Sequence, residues 1–135
     1  MKNNLLIAIA ALTVFSACNN KEKPTTSLDT GRLFIRECLD GDFKSAETLL
    51  YKDSENVQLF NSFKEYYGRM PEDKKHQYTK ASYQINKYSD LNDSTTIINY
   101  SNDYMNKPME IKIIRKNNDW TVDFKYTYSG NLPID

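Results

Sequence analysis

Hydrophobic and polar positions divide the chain into three regimes. Leu5 to Ala17 is a continuous apolar run broken only by Thr13 and Ser16. Lys21 to Ser27 (KEKPTTS) is polar, contains Pro24 and shows no period, which reads as a tether. From Leu28 the apolar residues recur every three or four positions. Phe34, Ile35, Cys38 and Leu39 form the stripe of a helix over about 28–40, with Arg32, Arg36, Glu37 and Asp40 largely on its other side. Ser27 or Asp29 can cap its start, and Gly41 stops it. Asp42 then caps a second helix over 43–51, with the stripe Phe43, Ala46, Leu49 and Leu50. Asp53-Ser54-Glu55 opens a third, with Val57, Phe60, Lys64 and Tyr67 on one face and Leu59, Phe63 and Tyr66 widening it. Gly68 ends it, and Pro71 forbids its continuation.

Near His76 the period changes to two. Tyr78 to Ser89 carries Ala81, Tyr83, Ile85 and Lys87 at alternate positions, and Asp90 to Asp93 is turn chemistry. Thr96, Ile98 and Tyr100 are in phase over 94–102, and Met109, Ile111 and Ile113 over 108–116. Asn117-Asn118-Asp119 predicts a tight hairpin. Over 120–128, Trp120, Val122, Phe124, Tyr126 and Tyr128 alternate with Thr121, Asp123, Lys125 and Thr127. Alternation of this kind predicts antiparallel strands packed on one side. The expected fold is α+β: three N-terminal helices packed on a curved four-stranded antiparallel sheet. One domain over 28–129 and a loose tail over 130–135 account for the rest.

The start of the chain supplies an address. Lys2, the apolar run and the small residues Ser16 and Ala17 have the layout of a secretory signal over 1–17. The run falls short of the ~20 apolar residues that cross a membrane. Phe15-Ser16-Ala17-Cys18 resembles the lipobox of bacterial lipoproteins, with Phe in place of the usual Leu. The resemblance implies cleavage between Ala17 and Cys18, lipidation of Cys18, and a lipidated tether over 18–27. The implied partner is the membrane, reached through the acyl anchor, each buried methylene adding ~0.8 kcal/mol. Asn19, where an Asp would favour inner-membrane retention in Gram-negative lipoproteins, implies the outer membrane. The mixed charges of Lys21-Glu22-Lys23 leave either face open.

A second resemblance spans most of the remaining chain. Phe34 to Phe43, with Ala46 and Leu49-Leu50, resembles the opening of small lipoproteins of the nuclear-transport-factor-2-like, or cystatin-like, superfamily. Ile113 to Asp123, with a turn leading into Trp120-Thr121-Val122-Asp123, resembles their closing hairpin, with Asn118-Asp119 where Gly is common. The resemblance implies a curved sheet wrapped against helices around a cone-shaped cavity. Its motifs are structural and carry no catalytic set.

Composition narrows the chemistry. Eighteen basic and eighteen acidic residues balance, which argues against nucleic acid as a partner. With Cys18 committed to lipid, Cys38 is a lone thiol expected to be buried, so no internal disulfide is expected. His76, the one histidine, sits in a charged stretch expected to be a solvated loop, which speaks against nucleophilic triads and histidine metal sites. The four glycines are unclustered, so no phosphate loop is expected. Asp123 and Glu110 fall out of phase with the apolar positions and are expected to face outward, so no carboxylate is placed as a general base. What remains is an aromatic inner face: Tyr83, Tyr100, Trp120, Phe124 and Tyr126. These rings either fill the core or line a concave pocket. The leading expectation is a non-enzymatic module, without cofactor or metal, that binds a small apolar ligand or an envelope protein. A cavity isomerase or hydrolase with an inward carboxylate is the alternative, and a structural accessory subunit the third.

Overall fold

A computed structural model describes residues 21–128. Ala17, Cys18 and the tail over 130–135 lie outside the described residues. Among the described residues the architecture is α+β, with five helices and an open, uncurled four-stranded sheet. Four described helices precede the sheet where three are expected: α1 (Ser27–Asp40), α2 (Phe43–Thr48), α3 (Ser54–Gly68) and α4 (Glu72–Lys80). The strands β1 (Tyr83–Asn92), β2 (Thr95–Asn102), β3 (Met109–Lys116) and β4 (Asp119–Val122) form an antiparallel meander in the order β1-β2-β3-β4. A short helix, α5 (Phe124–Tyr128), follows.

Local chemistry sets the element ends. Thr26 caps α1 by accepting the Asp29 N–H, Asp42 caps α2 through the Ser45 N–H, and Asp53 caps α3 through the Asn56 N–H. Gly41 closes α1 at φ +73°, and a Cβ there would stand 2.6 Å from the Tyr67 hydroxyl. The left-handed backbone favours glycine, and any side chain there would also displace the tyrosine beside it. Asn117 and Asn118 both take positive φ, the geometry a two-residue hairpin turn demands.

Helix α4 replaces the expected charged connection and the first residues of an expected strand. Its sequence EDKKHQYTK has no apolar stripe, and Tyr78 is its one large apolar anchor. Acidic Glu72 and Asp73 open it and Lys80 closes it, matching the helix dipole. Arg36 of α1 secures its end, donating to the carbonyls of Thr79 (2.9 Å) and Ala81 (3.0 Å). His76 is exposed on this helix.

Strand β1 is inward at Tyr83 and Ile85. A register shift between Ile85 and Lys87 then sends Lys87 to solvent, against its expected phase. In β2 and β3 the expected residues face the core: Thr96, Ile98, Tyr100, Met109, Ile111 and Ile113 are all buried. The last expected strand stops early. Val122 exchanges backbone bonds with Leu49 (2.8 Å) and Tyr51 (2.9 Å), so its outer edge is already occupied. The chain then turns at Asp123 into α5, and the alternation of 123–128 is not a strand.

Helix α1 lies across the sheet. Its Gly31 is buried, and a Cβ there would clash with Ile98 Cδ1 and press on Ile111. The absent side chain lets helix and sheet approach closely. Phe60 of α3 is fully buried at the centre of the aromatic core. Its ring meets Phe34 (5.9 Å), Phe43 (6.1 Å), Phe63 (6.3 Å) and Phe124 (5.3 Å). One side chain thereby joins α1, α2, α3 and α5. Phe60→Ala is expected to cost about 4 kcal/mol, read as a fall in the urea midpoint at unchanged slope.

Candidate functional site

A cavity of about 330 Å³ lies between the helices and the sheet. Helix α1 contributes Phe34, Ile35, Cys38 and Leu39, and β2 and β3 contribute Tyr100, Asn102, Met109 and Ile111. The end of α3 and the turn after it bring Tyr66, Tyr67, Arg69 and Met70. Tyr78 comes from α4, Tyr104 and Met105 from the loop before β3, and Phe124 and Thr127 from α5. Ile111, Phe34, Ile35 and Leu39 are buried and form the floor; Ser62, Glu65, Tyr66 and Arg69 are exposed and form the mouth.

Tyrosines dominate one wall. The Tyr78 ring stands 5.9 Å from Tyr67 and 5.2 Å from Tyr104, perpendicular to the latter. Burial pushes the phenols of Tyr78 and Tyr100 above their ordinary range, and burial followed by the nearby Glu37 does the same to the Cys38 thiol. Tyr78, Tyr100 and Cys38 therefore stay uncharged at physiological pH.

Of the five rings expected to share an inner face, Tyr100 and Phe124 line this cavity. Tyr83 packs toward α1, its hydroxyl donating to the Arg32 carbonyl at 3.3 Å. Trp120 is half-buried beneath the Arg115 guanidinium, 5.7 Å away. Tyr126 lies on α5 rather than on a strand, near the Lys112 ammonium at 5.9 Å. Tyr66, Tyr67, Tyr78 and Tyr104 escape period-two reasoning because none lies on a strand. The signal for them is compositional: nine of ten tyrosines lie from Tyr66 onward.

Two carboxylates expected outside are buried, and neither lines the cavity. Asp123 is 5% exposed because the turn into α5 rotates it inward. It accepts from Asn56 Nδ2 (3.1 Å) and lies near the Lys125 (3.4 Å) and Lys112 (3.6 Å) ammonium groups. Asn56 Oδ1 in turn accepts the Lys125 N–H at 2.7 Å, so one fully buried amide ties α3 to α5. Glu37, expected on the polar side of α1, is 4% exposed. Its Oε1 lies 3.5 Å from Lys21 Nζ, and its Oε2 has no hydrogen-bond partner. Burial raises its pKa, opposed by Lys21.

Lys21 also lies 3.7 Å from Asp42, and Lys23 pairs with Asp119 at 2.7 Å, so the segment before α1 lies against the domain. Among the described residues no group of three His, Cys, Asp or Glu is placed to hold a metal ion, and no helix is long and apolar enough to cross a membrane. No family model matches the chain, and no curated protein matches it.

Asn56→Ala removes both ties and leaves Asp123 short of a donor; a loss of about 3 kcal/mol is expected in chemical denaturation. Glu37 carries a pH signature. A carboxyl raised in the folded state stabilises the fold below its unfolded pKa, and that stability is lost as pH rises through the folded value. Glu37→Gln imitates the protonated form. The variant is expected to melt above the parent at pH 8, with the difference vanishing below about pH 4. Equal melting at both pH values would show that Glu37 carries no such strain.

Proposed function

We propose that this chain is a lipid-anchored envelope protein whose nuclear-transport-factor-2-like domain holds a small apolar ligand in the tyrosine-walled cavity. The observation that carries this reading is the cavity itself. At about 330 Å³ it falls at the lower end of ligand-sized pockets. Its floor is apolar and its charged lining residues, Glu65 and Arg69, stand at the exposed mouth.

The α+β architecture is compatible with the superfamily inferred from the Gly41-Asp42-Phe43 break and the Trp120 hairpin. The cavity is our counterpart of the cone-shaped pocket that the resemblance implies. Asp123 and Glu37 supply buried carboxylates, yet both stand outside the lining, and Asp123 is engaged by Asn56 and flanked by two lysines. Binding is therefore favoured over cavity catalysis. The Phe15-Ser16-Ala17-Cys18 motif supports the anchor, and Asn19 the outer membrane.

Two measurements test the two halves. Cys18→Ala should move the protein from the membrane to the soluble fraction; continued sedimentation with membranes sinks the anchor. Native mass spectrometry of the full chain, released gently from host membranes, should show a small-molecule adduct. Ser62→Trp, a change at the exposed mouth, should abolish it without altering thermal stability. An absent adduct, or one unaffected by Ser62→Trp, rules the cavity out as the binding site.

A further inference from the structure

We propose that the cavity selects an uncharged carbonyl compound, with an oxygen acceptor set on an apolar body of about ten heavy atoms. The proposal rests on the reading of the cavity as a ligand site and adds the chemistry of what enters.

The polar groups of the inner lining include hydroxyl and amide donors that no acceptor of the described residues takes. Tyr100 is 8% exposed, yet its hydroxyl makes no hydrogen bond among the described residues. The same holds for Tyr78, which is wedged between Tyr67 and Tyr104. The Thr127 hydroxyl is also buried and unpartnered. Asn102, 5% exposed, spends its oxygen on the backbone N–H groups of Tyr104 (3.0 Å) and Met105 (2.8 Å). Those two donors fix the amide orientation and leave the NH₂ as the unused end.

Asn56 and Asp123, away from the cavity, are by contrast paired with each other. The Tyr78, Tyr100 and Asn102 donors open onto the cavity, where an acceptor carried by a bound ligand can take them. A phenol oxygen, with its lone pair drawn into the ring, is a better donor than acceptor. The acceptor must also be neutral. No cation lies inside the lining to balance an anion, since Arg69 is exposed at the mouth, and burying an unpaired charge is prohibitive. The raised phenol and thiol pKa values keep the wall protonated when the ligand is bound.

Three probes of matched size and shape separate the possibilities: acetophenone, cumene and benzoate, each titrated into the full-length protein by calorimetry. Acetophenone is expected to bind, with its carbonyl stretch shifted to lower frequency. Tyr100→Phe and Tyr78→Phe, which keep the rings and remove only hydroxyls, are expected to weaken acetophenone about three- to tenfold. Cumene binding should stay within about twofold in both variants, and benzoate should bind at least about tenfold more weakly than acetophenone. Equal shifts for acetophenone and cumene in both variants, or tightest binding by benzoate, would overturn the carbonyl assignment and leave the apolar cavity standing. Failure of all three probes to bind would overturn the assignment and the cavity reading together.

Discussion

The close seating of α1 on the sheet governs the rest of the domain. Gly31 presents no side chain to Ile98, Ile111 and Ile113, so the first half of the helix rests directly on β2 and β3. Further along, Phe34, Ile35, Cys38 and Leu39 reach the gap between the sheet and α3. The same helix that Gly31 seats on the sheet therefore also supplies one wall of the pocket. Helix propensity alone disfavours glycine there by about 1 kcal/mol relative to alanine. The position is explained by packing, because even a methyl group would meet Ile98.

Two polar devices then hold elements that hydrophobic packing does not. Arg36 takes the last carbonyls of α4, a helix with almost no apolar face, and thereby sets Tyr78 against the cavity. Asn56 reaches Asp123 and the Lys125 N–H, fixing α5 and with it Phe124 and Thr127. Both ties join residues far apart in sequence. They act as specificity devices: each sends a segment into a helix where its sequence pattern reads as connection or strand.

That is also the boundary of what the sequence disclosed. The helical stripe of α1 and the strand phases of β2 and β3 follow from local periodicity, and the Asn117-Asn118 hairpin follows from turn chemistry. Those features depend on neighbours in the chain, and they agree with the fold. The first residues of the expected strand at Tyr78 and the last of the expected strand at Tyr128 depend on remote partners, Arg36 and Asn56. Period-two reasoning has no access to either. The candidate site suffered most, because it is built where these ties operate. Tyr100 and Phe124 were legible as apolar positions in phase. Tyr78 and Tyr104 were not, since a helix and a loop carry them. Asp123 was misplaced for the same reason: a single turn after Val122 reverses the side to which it points.

The pairing of Lys21 with Glu37 and of Lys23 with Asp119 has a mechanical consequence. Only Asn19 and Asn20 separate position 18 from a residue already held against the domain. A stretch that short reaches about 10 Å even when fully drawn out. If position 18 is fastened to a bilayer, the domain is mounted on the membrane rather than leashed above it. Its excursions, and with them the directions in which the cavity mouth can open, are then narrower than on a long free linker.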